Sequence, residues 1–118
     1  MTTQELADAF TALLKAGKFE DAGHAYWSDD IVSMEPMPGD MAMIKGRKAI
    51  DAKGAWWYAN HEIHSVKVEG PYVHGQQFVI RFTMDVTPKD GARMVMDEMG
   101  VYTVQGDKIV EERFFFGS

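Results

Sequence analysis

The residue best placed to do chemistry is a glutamate that directly precedes a proline. Glu35 ends a short run, residues 31–35, whose β-branched start predicts a strand, and the prolines and glycine of residues 36–40 then force a turn. A carboxylate at the mouth of an apolar pocket has its pKa raised by desolvation and can accept a proton near neutral pH. Proton abstraction beside a carbonyl needs such a base and a donor for the developing oxyanion. The same glutamate also fits an exposed loop acid, and the sequence leaves both interpretations open.

A second group of charged residues falls on strands that we expect to be covered. Its members are Arg81, Asp85, Glu98 and Glu112. A buried charge is costly unless it is paired, so such residues tend to mark a site or a buried ionic network. We expect Arg81 to pair with Glu98 or Glu112. The alternatives are a purely structural ion pair, or a register that leaves these side chains in solvent.

The grouping depends on how two neighbouring strands pair. Alternation places the apolar side chains of residues 76–87 on one face and Arg81, Thr83 and Asp85 on the other. If the hairpin turn at residues 88–91 is tight, these three share a face with Met94, Met96 and Glu98. A slip of one residue would reverse every assignment.

Aromatic and sulfur-containing side chains would line the candidate pocket, because methionine suits irregular apolar surfaces. Besides the charged residues, the lining that we predict consists of Trp27, Met34, Trp57, Met96, Tyr102 and Phe114. Met37, Met41 and Met43 are expected near the pocket mouth. Plain core packing is the alternative for all of these residues.

Metal binding is not expected from this composition. The chain has no cysteine. His61 and His64 face opposite ways on a strand, and at helical spacing they lack the rest of the His-Glu-x-x-His motif. Two ligands do not make a zinc site. We therefore predict neither a metal nor an organic cofactor.

The elements that must position these residues change character half-way along the chain. Apolar residues recur at helical spacing from about Leu6 to Leu14, from Phe19 to Tyr26 and from about Gly46 to Tyr58. Strands are predicted over residues 63–69, 76–87, 92–104 and 108–116, with turns between them. Helices followed by a strand meander predict an α+β domain, with three helices on one face of a mainly antiparallel, strongly curved sheet.

The last predicted strand has apolar residues on both of its faces. Phe114 and Phe116 alternate onto one face with Glu112, while Ile109 and Phe115 point the other way. A half-exposed strand normally sorts its apolar residues onto one face. We therefore expect helices over one side of the sheet and a second copy of the chain over the other.

Length and charge narrow the classes of partner. The 118 residues fit a single domain, 1–118. The formal net charge of −6, from 12 basic and 18 acidic residues, disfavours nucleic acid and anionic membrane surfaces as partners. No apolar run approaches the ~20 residues that span a bilayer. Because the N-terminal residues carry acids where a secretion signal is basic, we expect a cytoplasmic protein.

Three stretches of the chain carry a resemblance to a known superfamily. Residues 10–19 form an apolar helix that breaks at Ala16-Gly17. Residues 27–36 include the strand that ends in an acid before proline, and residues 46–50 start the helix that follows. Residues 99–116 form a closing hairpin. In their order and spacing they resemble the nuclear transport factor 2-like superfamily, also called the SnoaL-like or cone-fold group, which includes ketosteroid isomerases, limonene-epoxide hydrolases and polyketide cyclases. The resemblance implies a cystatin-like cone with an interior pocket, and a convex sheet face that often forms a homodimer.

Roles carried over from this superfamily match the chain only in part. Glu35 lies where the resemblance implies the base of ketosteroid isomerases. Phe10 lies where it implies an oxyanion-hole tyrosine, and Met99 or Gly100 where it implies a second donor. Asp85 resembles the aspartate that polarises water in the epoxide hydrolases, but its arginine partner would fall at Thr83 and the second acid at Phe114. Both known constellations are therefore broken.

The preferred functional prediction is a SnoaL-like acid–base enzyme of isomerase, cyclase, lyase or hydrolase type, acting on an apolar small molecule in a conical pocket. Glu35 and Asp85 are the predicted catalytic residues. Two alternatives stay open: a non-catalytic protein that binds a hydrophobic metabolite, and a dimerisation domain whose cone is filled by side chains.

Overall fold

The computed structural model describes residues 1–40 and 42–116 of the chain. Its elements, in chain order, are α1 (Thr3–Lys15), α2 (Phe19–Tyr26), β1 (Trp27–Met34), β2 (Met43–Lys45), α3 (Arg47–Asn60), β3 (His61–His74), β4 (Gln77–Pro88), β5 (Met94–Gln105) and β6 (Lys108–Phe116). The three helices and the closing meander confirm the predicted α+β fold. Among the described residues, no helix is long and apolar enough to cross a membrane.

The first half of the chain differs from the prediction in its strands. β1 begins at Trp27, four residues before the strand start predicted at residue 31. The short β2 was not predicted from sequence. It pairs with β1 in antiparallel fashion, with Met34 opposite Met43. Met41, expected near the pocket mouth, lies outside the described residues.

Six strands form one sheet in the order β2-β1-β6-β5-β4-β3. All neighbouring strands are antiparallel except β1 and β6, which run parallel. β3 is longer than predicted, because it continues past Gly70 to His74. Gly70 has φ 124°, and a Cβ there would lie 2.9 Å from the carbonyl oxygen of Val79, so the strand can continue only because this residue is glycine.

One face of the sheet, called the inner face below, packs against the helices. Phe10 of α1 contacts Phe78 and Tyr102, at ring-centroid separations of 5.9 and 5.1 Å. Phe78 and Tyr102 stack on each other at 4.9 Å. Such aromatic pairs add ~0.5–1.5 kcal/mol beyond the burial of their area. This aromatic cluster anchors α1 on β4 and β5.

The pairing of β4 with β5 corrects the expected register. A tight turn at residues 88–91 would pair Thr87 with Ala92, but the structure pairs Val86 with Met94. The β4–β5 connection is therefore longer than the tight turn by an odd number of residues. Every side chain of β5 consequently lies on the face opposite to the one expected. Met94, Met96 and Glu98 lie on the inner face opposite Val86, Met84 and Phe82. Arg81, Thr83 and Asp85 lie on the other face, called the outer face.

A register shift in the last hairpin produces a second correction. Thr103 pairs with Glu111, but Val104 pairs with Ile109, so the pairing shifts by one residue between them. Ile109 therefore joins Val104 in the core and is fully buried. It does not share the outer face with Glu111 and Phe115, as strict alternation predicted.

Candidate functional site

Three glutamates and one lysine meet on the inner face, and we call them the glutamate cluster. Its members are Glu35, Lys53, Glu98 and Glu112; the charges of Glu35 and Lys53 influence the pKa of both Glu98 and Glu112. Each comes from a different part of the fold: Glu35 follows β1, Lys53 lies on α3, Glu98 on β5 and Glu112 on β6. The cluster therefore exists only in the folded chain.

Lys53 forms an ion pair with Glu35. Its ammonium group donates a hydrogen bond to Oε1 of the carboxylate. Both side chains are largely shielded, with 20% of Lys53 and 12% of Glu35 exposed. The ammonium also lies 5.6 Å from the ring centroid of Phe114, within the range of a cation–π contact. Lys53 thus carries positive charge into the centre of an otherwise acidic site.

Glu112 is the most deeply buried acid of the cluster, with 5% of its surface exposed. Burial raises its pKa from 4.5 to about 7, although the Lys53 charge and the Ser33 hydroxyl act in the opposite direction. Ser33 donates a hydrogen bond of 3.1 Å from Oγ to Oε2 of Glu112. The Trp27 indole N–H also favours the charged form of Glu112, but it does not make a hydrogen bond of normal geometry. It is a buried donor without a partner among the described residues.

Glu98 is the second acid that can change its charge near neutral pH. Burial and the nearby Glu35 carboxylate raise its pKa from 4.5 to about 7, against the opposing influence of Lys53. Glu98 and Glu112 therefore hold a proton for much of the time at pH 7, and either can release it or take it up. A group with this property is suited to general acid–base catalysis.

Tyr102 lies among these acids on the inner face. It pairs with Glu112 across β5 and β6. Burial raises its pKa well above 10.0, and Glu112, Glu98 and Glu35 reinforce that rise. Its ring lies over Gly100, where an added Cβ would come within 2.9 Å of the hydroxyl oxygen. The hydroxyl is therefore a permanent donor at neutral pH, and Gly100 provides the space for it.

Several predicted site residues join this arrangement, while others do not. Glu35, Glu98, Tyr102, Glu112 and Phe114 come together, and Trp27 contributes its indole nitrogen next to Glu112. Met96 lies on the same face as Glu98, opposite Met84.

Arg81 and Asp85 lie outside the cluster, so their expected placement was wrong. Arg81 forms a bidentate ion pair with Asp97, at 3.0 and 2.6 Å, and not with Glu98 or Glu112. Asp85 forms the corresponding pair with Arg93, at 2.9 and 2.8 Å. The cause is the register of β4 and β5, which puts both residues on the outer face.

Met34 and Trp57 also lie away from the glutamate cluster. Met34 on β1 pairs with Arg113 on β6, and both occupy the face opposite to that of Ser33 and Glu112. Strand alternation excludes adjacent Ser33 and Met34 from the same face. Trp57 stacks on His61 with ring centroids 4.2 Å apart, at the far end of α3.

Sequence analysis missed Lys53 and Ser33, although a weak signal existed for both. Lys53 lies three residues after Ile50, the buried residue of α3, so it falls on the helix stripe that faces the sheet. Ser33 lies two residues after Ile31 on β1, so both point to the inner face, and both are fully buried. In each case a polar residue at an inward-facing position was the available clue.

The histidines and the surface depressions lie elsewhere. Within residues 1–40 and 42–116, no group of three or more potential ligands could hold a metal ion. His61 Nδ1 lies 2.8 Å from the carbonyl oxygen of Trp57, and His64 Nε2 lies 2.8 Å from Oγ1 of Thr87. One open depression, of about 540 Å³, is bordered by the start of α2 and by Tyr58. A second, of about 510 Å³, is bordered by Asn60, the start of β3 and the end of β4. Neither includes a member of the glutamate cluster.

Comparison with known proteins agrees with this fold over its whole length. The family model described as a SnoaL-like domain matches residues 1–116. The chain belongs to the SnoaL-like domain family. No curated protein matches the chain.

One solved structure is similar in both sequence and fold to this SnoaL-like chain. It is a candidate SnoaL-like polyketide cyclase, also described as a carbohydrate phosphatase, from Mesorhizobium loti. It is 52% identical, with a TM-score of 0.95, and the match covers 98% of this chain and 99% of that one.

More distant structures resemble this chain in fold only. A cystatin-like protein from Xanthomonas campestris has a TM-score of 0.80 at 15% identity, covering 100% of this chain and 92% of that one. A protein with a ketosteroid isomerase-like fold from Catenulispora acidiphila, solved with trimethylamine, has a TM-score of 0.73 at 19% identity, covering 98% and 88%. The predicted resemblance to the SnoaL-like group is confirmed by the family match and by the Mesorhizobium loti structure.

Proposed function

We propose that this SnoaL-like protein is an acid–base enzyme that acts on a small apolar molecule carrying a carbonyl group, using its own side chains. The observation that carries the proposal is the glutamate cluster. Burial raises the pKa of both Glu98 and Glu112 to about 7, beside the charged pair Glu35–Lys53. Acids with such pKa values, next to an ionised carboxylate, support a division between proton donor and proton acceptor.

The roles follow from the charge that each acid carries. Glu35 is ionised in its pair with Lys53, so it is the proposed base. Burial raises the pKa of Glu98 to about 7, so it holds a proton for part of the time at neutral pH and is the proposed acid. Glu35 would remove a proton from the carbon beside the carbonyl, while Glu98 supports the oxygen. Isomerisation and ring closure by carbon–carbon bond formation both begin with this step.

The two activities attached to the Mesorhizobium loti relative are not equally compatible with the cluster. A polyketide is rich in carbonyl groups and acidic C–H bonds, so it suits a carboxylate base. A phosphate monoester carries negative charge, and three glutamates with one lysine would repel it. We therefore favour carbonyl chemistry for this chain.

Hydrogen–deuterium exchange into cyclic ketones tests the proposal without knowledge of the natural substrate. A panel of cyclic ketones and diketones is incubated with the protein in D₂O, and NMR follows loss of the α-proton signals. We expect the wild-type protein to accelerate exchange for at least one member. Glu35→Gln should lower that rate by ~10²–10⁴-fold, whereas Glu111→Gln, on the outer face, should not. Equal rates for wild type and Glu35→Gln would eliminate Glu35 as the base.

Ligand binding without catalysis is the second candidate function. It is favoured by the direct ion pair of Lys53 with Glu35, which engages the proposed base, and by the stacked rings of Phe78 and Tyr102, which fill part of the interior. A ligand that raises the melting temperature but undergoes neither exchange nor turnover would support this function. The absence of any stabilising ligand would support the third candidate, a dimerisation domain.

A second copy of the chain is the partner that we propose for the outer face. Val95, Met99 and Phe115 are 65%, 46% and 49% exposed. Met99 and Phe115 are direct partners across β5 and β6, so they form a continuous apolar surface. Exposed apolar patches of this kind mark association surfaces. Analytical ultracentrifugation should show a dimer that Met99→Asp converts to a monomer, and a wild-type monomer would contradict the proposal.

A further inference from the structure

Lys53 brings an amine into the glutamate cluster, and the proton transfer proposed above does not use it. Only 20% of the side chain is exposed, whereas lysine is normally solvated. Its ammonium donates a hydrogen bond to the Glu35 carboxylate and lies 5.6 Å from the ring centroid of Phe114. An amine that is shielded from water and hydrogen-bonded to a base has the surroundings of a lysine nucleophile that attacks carbonyl compounds.

Helix α3 holds this amine at the inner face. At the start of α3, the Gly46 N–H donates a hydrogen bond of 2.7 Å to the carbonyl oxygen of Ile31 on β1. Ile50 is buried in the core and lies three positions before Lys53, so the two side chains share one stripe of the helix. The position of the amine is therefore set by the contacts of α3 with β1 and the core, and not by a loop.

The acids around Lys53 can move the protons that a reaction of its amine requires. Burial raises the pKa of both Glu98 and Glu112 to about 7, and the Lys53 charge acts on both in the opposite direction. Each can therefore donate a proton near neutral pH, as the loss of water from an amine adduct requires. Glu35 accepts the hydrogen bond of the ammonium, so it can take the proton that frees the amine.

We propose that Lys53 is a catalytic nucleophile that forms an imine with the carbonyl carbon of the ligand, which makes ketones and aldehydes, and not esters, the ligand class of this site. The inference rests on the proposed function, because the ligand is the same apolar carbonyl compound. The protonated imine draws electrons from the α-carbon and so makes the α-proton easier for Glu35 to remove. Because the carbonyl oxygen leaves as water, this route needs no hydrogen-bond donor on α1, where Phe10 packs against the core.

The reaction balances with water as its only by-product. The Lys53 ammonium passes a proton to Glu35, its lone pair forms the C–N bond, and the carbonyl π pair moves to oxygen, which takes the proton of Glu98. The nitrogen then returns a proton to Glu98. Glu35 protonates the hydroxyl group, which leaves as water while the nitrogen lone pair forms the C=N bond. Glu35, again a carboxylate, can then remove the α-proton to give an enamine.

The charges of the cluster suit the iminium ion as well as they suit the ammonium. Both carry one positive charge on the same nitrogen, so Glu35 keeps its ionic partner after the C=N bond has formed. Attack on an ester would instead end in an uncharged amide and leave the Glu35 carboxylate without a counter-charge. The ion pair therefore favours ketones and aldehydes over esters.

Reductive trapping identifies the proposed bond directly. Wild-type protein is incubated with cyclohexanone and sodium cyanoborohydride, which reduces an iminium ion to a stable secondary amine, and peptide mass spectrometry locates the cyclohexyl group. We expect Lys53 to be labelled faster than Lys48, an exposed lysine of the same helix. Lys53→Arg keeps the positive charge but cannot form an imine, so labelling at this position should be lost. Lys48→Met is the matched control, and labelling of Lys53 should continue in it.

Oxygen exchange provides a second readout that needs no reductant. Each cycle of imine formation and hydrolysis replaces the carbonyl oxygen with one from water, whereas direct enolisation leaves it in place. Wild-type protein and Lys48→Met should accelerate the loss of ¹⁸O from labelled cyclohexanone. Lys53→Arg should return the rate to that of protein-free buffer. Labelling of Lys53 in the wild type decides the question even if Lys53→Arg does not fold.

The outcomes separate the inference from the proposed function. Acceleration of α-proton exchange with no preferential label on Lys53 and no loss of ¹⁸O would overturn the inference alone, and Glu35 would act on the ketone directly. Label on Lys53 without α-proton exchange would support the imine and contradict Glu35 as the base. A wild-type protein that shows neither label, nor oxygen exchange, nor α-proton exchange would overturn both the inference and the proposed function.

Discussion

Ser33 donates a hydrogen bond of 3.1 Å to Glu112 across the parallel pair β1–β6. The two residues are direct partners in the sheet, and 79 positions separate them in the chain. The bond therefore forms only when the first and last strands come together. It ties the most buried acid of the site to the strand that leads to Glu35.

Removing the Ser33 hydroxyl should make Glu112 more difficult to ionise. The hydrogen bond favours the charged carboxylate of Glu112. Ser33→Ala should therefore raise the pKa of Glu112 above its wild-type value of about 7. Loss of the bond should also lower the free energy of unfolding by ~0.5–1.5 kcal/mol. ¹³C NMR of labelled glutamate carboxyls measures the first effect, and urea denaturation the second. Ser65→Ala, on exposed β3, is the matched control, and an equal response in both variants would contradict the role of Ser33.

The free energy of unfolding should fall as the pH rises from about 4.5 through 7. Burial raises the folded-state pKa of Glu112 to about 7 from 4.5, so between these values the folded protein binds more protons than the unfolded chain does. The stabilisation that results from this extra proton binding is fully present below pH 4.5 and is lost above a pH of about 7. For Glu112 the change amounts to ~3 kcal/mol.

Glu112→Gln isolates this contribution. At pH 8 the variant should be more stable than the wild type, because glutamine is buried without a charge, and at pH 4.5 the two should be nearly equal. Urea denaturation across this pH range measures the difference. Glu111→Gln, at the neighbouring outer-face glutamate, should leave the pH dependence in place. A wild-type stability that rises between pH 5 and 8 would contradict a raised pKa for the buried Glu112.

Two glycine substitutions should have opposite effects on stability. In Gly100→Ala the new Cβ meets the Tyr102 ring at 2.9 Å, so the ring must move, at a cost of ~1–3 kcal/mol. In Gly54→Ala nothing lies within 4 Å, and alanine in the α3 helix should stabilise the protein by up to ~1 kcal/mol. Thermal unfolding compares the two variants. Equal effects of the same sign would show that Tyr102 does not lie over Gly100.

The register of β4 and β5 can be tested with disulfides, since the chain has no cysteine of its own. Thr83 pairs with Asp97, whereas the tight turn predicted from sequence would have paired it with Met96. Directly opposed Cβ atoms are close enough for a disulfide, and those on opposite faces are not. On oxidation, Thr83→Cys with Asp97→Cys should therefore cross-link, and Thr83→Cys with Met96→Cys should leave free thiols. Mass spectrometry distinguishes cross-linked from free thiols. A cross-link in the Met96→Cys pair and none in the Asp97→Cys pair would support the tight turn.

The sequence was a reliable guide where patterns are local. Helical spacing located α1, α2 and α3, and turn residues located the closing strands, because these signals lie within a few positions of each other. Glu35 was selected as an acid before proline, Glu98 and Glu112 as charged residues on strands expected to be covered, and Tyr102 as a pocket-lining residue. The fold brings these four residues together.

What sequence missed depends on small differences between distant segments. The face occupied by Arg81 and Asp85 is set by one residue in the β4–β5 connection, which no local pattern specifies. The shift beside Val104 moves Ile109 to the core in the same way. Lys53 was missed because a lysine on a helix is normally solvated, and only the fold shows that its ammonium reaches Glu35.

Site-resolved titration of the glutamate carboxyls is the most direct measurement of the central claim. With ¹³C-labelled glutamate, and Glu98→Gln and Glu112→Gln to assign the signals, NMR follows each carboxyl between pH 3 and 9. The structure predicts that two glutamates, Glu98 and Glu112, titrate with a pKa of about 7. If Glu98 and Glu112 both titrate near 4.5, they are solvated, and the acid–base site proposed for the inner face does not exist.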